Sequence, residues 1–183
     1  MQILLTGVSC VGKTTVGPIL ASNLGRPFFD LDREIEVFHG MKIRPLRRKI
    51  PTMREYRVEA AKALSHLIEQ EKSNNAVIAM PPSGLMEAYW DVVKVLNCTK
   101  VTLFDEPENI LKRLIFFDKD SNPKQKTLDE LQAKRYLKSI YTDMSYFQKS
   151  YERSNAQIAI KDLNAEQAAK KVEAILRIMK KVH

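Results

Sequence analysis

The run Gly7-Val8-Ser9-Cys10-Val11-Gly12-Lys13-Thr14 sets two glycines, a lysine and a hydroxyl at the spacing G-x-x-x-x-G-K-[ST]. Polyphosphate chemistry gives each fixed residue a reason. Glycine lets a backbone curl around a phosphate with no Cβ in the way. Successive N–H groups of such a turn converge into an anion nest, and a helix starting at its end adds the positive end of its dipole. Lys13 then reaches β- and γ-phosphates, and the Thr14 hydroxyl is a ligand for Mg²⁺. Val8, Ser9, Cys10 and Val11 offer backbone donors inside the turn, with Thr15 at the helix start. By average residue usage, a chance match in a chain this long arises on the order of once in a hundred. A strand before the turn and a helix after it weaken that reading further, so ATP with Mg²⁺ is the expected ligand.

The elements that must hold this turn can be read from the pattern of apolar residues. Ile3-Leu4-Leu5 is a short buried strand running into Gly7, and 13–23 reads as a helix closed at Leu24-Gly25. Gly17 and Pro18 are expected to disturb its second turn, because proline lacks the N–H an interior position donates. A strand over 27–30 leads into a helix over 31–38. A long helix over 52–71 follows, with Ala60, Ala63, Leu64, Leu67 and Ile68 on one face. Next come a strand over 76–80, a loop over Pro81-Pro82-Ser83-Gly84, a strand over 100–104 and a helix over 107–117. A polar loop over 118–126 carries Asn-Pro. A helix over 127–151, a strand over 157–160 and a helix over 164–181 capped by Asn164 complete the chain. Short apolar strands alternating with helices predict a three-layer α/β fold of the P-loop NTPase type. Its parallel five-stranded sheet is flanked by helices, in one domain over 1–183. Sites in such sheets lie at the carboxyl ends of the strands, where 7–14, Asp30 to Asp32 and 80–84 all fall.

Composition bounds the function classes. With 183 residues, 44% hydrophobic and 28% charged, the chain is that of an ordinary globular protein with its own core. No apolar run approaches the length of a membrane helix, and the first residues read as a strand rather than a secretory signal, so a cytoplasmic protein is expected. Two cysteines, Cys10 and Cys98, exclude a disulfide framework and have no metal-like spacing. Cys10 reads as a small filler before it reads as a reactive thiol. The net charge of +8 comes from 30 Lys+Arg against 22 Asp+Glu. Its densest cluster, Arg44, Arg47, Arg48 and Lys49, lacks interleaved aromatics and any nucleic-acid motif, so nucleic acid is not the expected partner. A solvated face or the wall of an anionic-substrate site fits better. His39, His66 and His183 lie far apart and form no hydrolase pattern.

Over most of its length, and most sharply in the first 60 residues, the chain resembles the shikimate kinase family. Phe28-Phe29-Asp30-Leu31-Asp32 looks like that family's Asp-x-Asp segment. The resemblance implies that Asp30 helps hold Mg²⁺ and that Asp32 hydrogen-bonds the acceptor hydroxyl, as a possible base. The bland alternative is a pair of acids favouring the dipole of the next helix. Tyr56-Arg57 resembles the family's Phe-Arg pair, whose arginine binds the substrate carboxylate through its two-pronged fork. Arg54 lies one turn earlier. Leu111-Lys112-Arg113-Leu114 resembles the helix end whose arginine lies on the adenine, which places the lid at about 117–127 and the acceptor segment at about 31–60.

The chain departs from the family at three places. The lid has no arginine; Lys119, Lys124 and Lys126 are its only cations, and Lys119 is the candidate to steady the transferring phosphate. Where the family has three glycines, this chain has Pro81-Pro82-Ser83, so Pro82 and Ser83 are expected to meet the acceptor without the proline donors. The second substrate arginine, four residues before a late tyrosine, is Phe147 if that tyrosine is Tyr151. Arg135, Lys149 or Arg153 is a possible substitute. Loss of one charge-assisted contact costs on the order of 1.5 to 3 kcal/mol.

The expectation is therefore phosphoryl transfer from ATP to a hydroxyl of a small, anionic acceptor that is not best met by shikimate. Lys13 and Asp32 would be catalytic, and the protein a monomer or weak dimer. A nucleoside, nucleotide or sugar-acid kinase, a non-catalytic ATP-binding module and a nucleic-acid-binding ATPase stay open. Trp90 and Tyr89 either wall the acceptor pocket or fill the core.

Overall fold

In a computed structural model, which describes residues 1–118 and 122–181, the chain alternates strands and helices. The parallel sheet has the order β2-β3-β1-β4-β7, from β1 (Gln2–Thr6), β2 (Phe28–Asp30), β3 (Val77–Ala79), β4 (Cys98–Phe104) and β7 (Ala156–Ala159). β1 is central: Ile3 to Leu5 align with Val77 to Ala79 on one side, and Gln2 to Thr6 with Cys98 to Thr102 on the other. Side chains of a strand alternate between faces, and the two cores divide accordingly. Ile3 and Leu5 join Val77, Val101, Leu103 and Ile158 on one face, under α1 (Lys13–Asn23), α7 (Glu130–Tyr151) and α8 (Ala165–Lys181). Leu4 and Ile78 join the other, under α2 (Leu31–His39), α3 (Ile43–Lys49), α4 (Met53–Ile68) and α5 (Glu87–Val93). The inner strands β1, β3 and β4 are largely buried on both faces, as parallel sheets require, while the edge strands β2 and β7 are only partly covered.

α1 runs unbroken through Gly17 and Pro18, contrary to the disturbance expected there. Gly17 serves packing instead: a Cβ at that position would sit 2.3 Å from the Phe28 ring, so only glycine lets β2 lie this close. α4 starts at a reciprocal capping box between Thr52 and Glu55 and ends at Ile68. It is shorter than the pattern implied, because 71–73 turn separately as a 3₁₀ segment. Two helices were not expected. α3 contains the arginine cluster and reads as a charge run, and α5 has no side-chain cap at its start. Only the spacing of Leu85, Tyr89 and Val93, all fully buried, hints at α5. α6 (Pro107–Lys112) stops five residues short of the expected end, and the chain goes on as β5 (Phe116–Phe117), paired antiparallel with β6 (Pro123–Lys124). The lid thus rises on a small hairpin rather than from a helix end. Asn164 caps α8 as expected: its side chain accepts from Gln167 N–H (2.9 Å) and the Gln167 side chain accepts from Asn164 N–H (3.0 Å).

β1 delivers the chain to Gly7, whose φ of 135° suits glycine. A Cβ there would lie 2.3 Å from the Leu103 carbonyl oxygen, which is backbone and cannot step aside. Gly7→Ala is expected to cost about 3 kcal/mol from combined clash and left-handed strain, read as a lowered denaturation midpoint. A midpoint within experimental error of the parent's would show that the turn has room to relax.

Candidate active site

The turn between β1 and α1 forms the floor of a cleft of about 670 Å³, lined by Ser9, Cys10, Gly12, Lys13, Thr14, Thr15, Asp30, Asp32, Pro82 and Arg113 among others. Gly12, with φ 115°, stands at the N-cap of α1, and among the described residues no side chain caps the helix. Thr15 and Val16 N–H already donate to the Gly12 carbonyl (3.1 and 2.8 Å), whereas the N–H groups of Lys13 and Thr14 precede the first intrahelical acceptor, which suits them to a phosphate. Val8 and Val11 are buried in the core and could offer only backbone, and Val11 N–H already leans on the Val8 carbonyl (3.4 Å). Cys10 holds a positive φ of 59° at the crest of the turn.

Lys13 is the charged centre of the floor. Its side chain curls back and donates to the carbonyls of Gly7 (2.7 Å) and Val8 (2.9 Å), and the residue is 7% exposed. Burial pulls its pKa down to about 8, although Asp32, Cys10 and Asp30 oppose the shift. The ammonium is thus held ready and poorly solvated, a state that added phosphate charge would relieve.

Asp30 ends β2 and Asp32 stands in the first turn of α2. The Asp30 carboxylate accepts from Asp32 N–H (2.9 Å), so it caps α2 while lining the cleft. The structural and functional readings of this acid pair therefore hold together. Burial raises the Asp30 carboxyl, against the hydrogen bonds from Asp32 and Arg33. Asp32 opens onto the cleft, yet protein atoms displace enough water that desolvation, with Asp30 beside it, pushes its pKa up to about 6 against the pull of Lys13. Two carboxylates and the Thr14 hydroxyl are hard oxygen donors, and the carboxylates crowd each other's charge. That set fits a small divalent cation shared with phosphates. Among the described residues no cluster of three or more His, Cys, Asp or Glu could hold a metal by itself.

Arg113 closes the far end. Its guanidinium pairs with Asp105 and its Nε donates to the Asn109 carbonyl (3.1 Å). Burial pushes the Asp105 carboxyl up, but donors from Asn109, Glu106 N–H and Arg113 more than offset that and hold it low. In the sequence Asp105 lies just past the strand over 100–104; here it anchors the guanidinium plane, and an acid eight residues ahead of the arginine was the sole signal. Asp105→Ala is expected to weaken Mg·ATP binding several-fold and to cost about 1–3 kcal/mol, while the acceptor KM stays unchanged; a matched change in acceptor KM would contradict this division.

The acceptor side differs from the expectations. Arg57 is 5% exposed and is met by Glu87 (Nη1 to Oε1, 3.2 Å) and the Tyr146 hydroxyl (3.4 Å). Arg54, one turn earlier on α4, is exposed. Phe147 packs in the core against Tyr151. Tyr151 donates to the Pro82 carbonyl (3.1 Å), and Arg153 donates to the Leu85 carbonyl (2.7 Å) while lying over the Trp90 ring. Arg153 is thus a brace for the 81–86 loop rather than a replacement clamp. Trp90 is that brace's half-buried partner, and Tyr89 is core, its hydroxyl without a partner among the described residues. Pro82 lines the cleft; Ser83 is buried and its carbonyl accepts from Met86 N–H (2.8 Å). Arg135 and Lys149 are exposed.

In the lid, Lys119 lies outside the described residues. Lys126 sits over the Phe116 and Tyr136 rings. Arg44 of α3, which the sequence had not singled out for this, donates to the Asp118 carbonyl (2.6 Å) and so ties α3 to the lid. A second hollow of about 400 Å³ is lined by Arg44, Arg47, Arg48, Thr52 and Tyr56. Among the described residues no helix is long and apolar enough to cross a membrane.

Comparison with known proteins agrees with this geometry. One curated relative, a shikimate kinase of Chlorobaculum parvum, is 58% identical over 41 residues, a stretch that spans only 22% of either chain. The shikimate kinase of Macrococcus caseolyticus is 25% identical over 149 residues, covering 80% of this chain and 84% of that one. The crystal structure of shikimate kinase from Aquifex aeolicus superposes with a TM-score of 0.70 at 27% identity, covering 97% of this chain and 96% of the other. Residues 9–177 match the sequence profile of the shikimate kinase family. With a complete phosphate turn, an acid pair at the end of β2 and a match over nearly its whole length, the chain belongs to the shikimate kinase family, a family of ATP-dependent kinases.

Proposed function

We propose that the protein transfers the γ-phosphoryl group of ATP to a hydroxyl of a small, anionic molecule. The observation that carries this reading is the convergence of Lys13, Thr14, Asp30 and Asp32 on one cleft at the carboxyl ends of β1 and β2. Amides of 7–14 and the Lys13 ammonium would bind the phosphates, and Arg113, its plane fixed by Asp105, would offer a face to the base. Thr14 and Asp30 would hold Mg²⁺, which when bound neutralises charge spreading over the phosphates. Asp32 would orient the acceptor hydroxyl and take its proton at the carboxylate. Phe117 and Ile115 on the lid side would exclude water, and Lys119 would steady the transferring group.

The acceptor's anionic group is best met by the arginines of α3. Arg47 lies over the Tyr56 ring (5.7 Å), and its charge reaches Asp32. An anion in that hollow would thus lie on the acceptor side of the reacting carboxylate. A nucleotide or sugar-acid acceptor suits this hollow as well as a hydroxy acid does, and we place the protein in the cytoplasm as a monomer or weak dimer. The test is ADP release from Mg·ATP over sugar phosphates, sugar acids, nucleotides and hydroxy acids including shikimate. One acceptor is expected to stimulate release at least tenfold over water. Mg·ATP binding without stimulation by any acceptor would favour a non-catalytic module instead.

A further inference from the structure

Arg57 is the residue whose resemblance implies a substrate carboxylate, but the chain supplies a carboxylate of its own. Glu87 begins α5 at the end of the loop that follows β3, and its φ of 46° is a conformation that disfavours a side chain. Around it the loop is fixed at three points: Tyr151 donates to the Pro82 carbonyl, Arg153 to the Leu85 carbonyl, and Met86 N–H to the Ser83 carbonyl. A braced loop that holds a glutamate in an unfavourable backbone state aims its side chain at one place, and that place is the buried Arg57 guanidinium. The Tyr146 hydroxyl takes a further share of Nη1 and Nη2, its ring 5.8 Å from the guanidinium carbon.

Resting on the kinase reading above, we infer that Glu87 is an internal occupant of the carboxylate seat on Arg57 and selects against acceptors that carry their carboxylate there. A carboxylate arriving at Arg57 must displace Glu87 or share one guanidinium with it, and two like charges at that range oppose each other. With its Nη atoms already met by Glu87 and Tyr146, the guanidinium disfavours an acid at this point. The selection works by exclusion: the attraction for a carboxylate is present but already answered within the chain.

The experiment measures shikimate, a carboxylate on a hydroxylated ring, binding to the whole protein by calorimetry. Parent, Glu87→Gln and Glu87→Gly are compared. Glu87→Gly removes the carboxylate at a position where glycine is at ease, which guards against loss of fold should the glutamine variant fail. Both variants are expected to bind shikimate at least tenfold tighter than the parent, and to lose that gain when Arg57→Ala is added. Unchanged or weaker shikimate binding in folded Glu87→Gly would overturn the inference. Because the readout is equilibrium binding, it stands apart from the kinase reading. Failure of the acceptor panel would remove the activity and leave this selection testable; failure of the Glu87 variants would leave the activity in place.

Discussion

Replacing Lys13 by methionine is expected to lower kcat by about 10²–10³, the effect of removing one preorganised charge from a transferring group. Among the described residues the cleft lining holds one other cation, Arg113, whose guanidinium is committed to Asp105 and Asn109. The same substitution has an unusual signature in stability. The folded pKa of Lys13, about 8, lies below its ordinary value of 10.5. Below pH 8 both folded and unfolded states hold the proton, so the full penalty of burying the charge is present at pH 7. As pH rises from 8 to 10.5 the folded state releases its proton first, and stability rises. Methionine escapes that penalty, while the freed carbonyls of Gly7 and Val8 offset part of the gain. The nucleotide-free variant is therefore expected to melt no lower than the parent at pH 7 and to be nearly inactive. A melting point several degrees lower would mean that the lysine is chiefly structural.

Asp32→Asn is expected to lower kcat/KM by about 10²–10⁴, the range of a positioned general base, and to remove a pH limb. In the parent, kcat/KM is expected to rise about tenfold per unit below pH 6 and to level above it, because the Asp32 carboxyl titrates at about 6 in the free protein. The stability effect again follows from the sign of the shift. The folded state keeps the Asp32 proton up to about 6, whereas the unfolded chain releases it near 3.8. Stability of the nucleotide-free protein therefore falls as pH rises through that window. Asparagine abolishes the fall, so the variant is expected to gain on the parent at pH 7.5 and to match it at pH 3.5. The side chain opens onto the cleft, which keeps the gain small. A parent profile flat from pH 5 to 8 would remove Asp32 from the proton transfer.

The phosphate turn and the sheet were legible because both are local. Gly7 and Gly12 carry backbone states that only a few residues tolerate, and Ile3 to Leu5 alternate between two cores that the strand period separates. The acid pair was legible as chemistry, and the structure adds that Asp30 also caps α2. What escaped the sequence is what depends on contacts distant in the chain. Arg57 reads as an open clamp until Glu87, 30 residues on, and Tyr146, 89 residues on, are found against it. α3 looked like a solvated charge run because Arg44, Arg47 and Arg48 mask Leu46, its single buried anchor. The lid hairpin was hidden because β5 and β6 are two residues each, too short for any period to show.

The account stands on backbone amides and one buried ammonium holding a polyphosphate at the start of α1. Titration of Mg·ATP into the protein by calorimetry at pH 7 and pH 8.5 tests that most directly. Saturable one-site binding is expected at both, at least a hundredfold weaker with Lys13→Met, and with net proton uptake near pH 8 as the incoming phosphates recharge Lys13. A titration without heat of binding, or an affinity indifferent to the methionine, would contradict it.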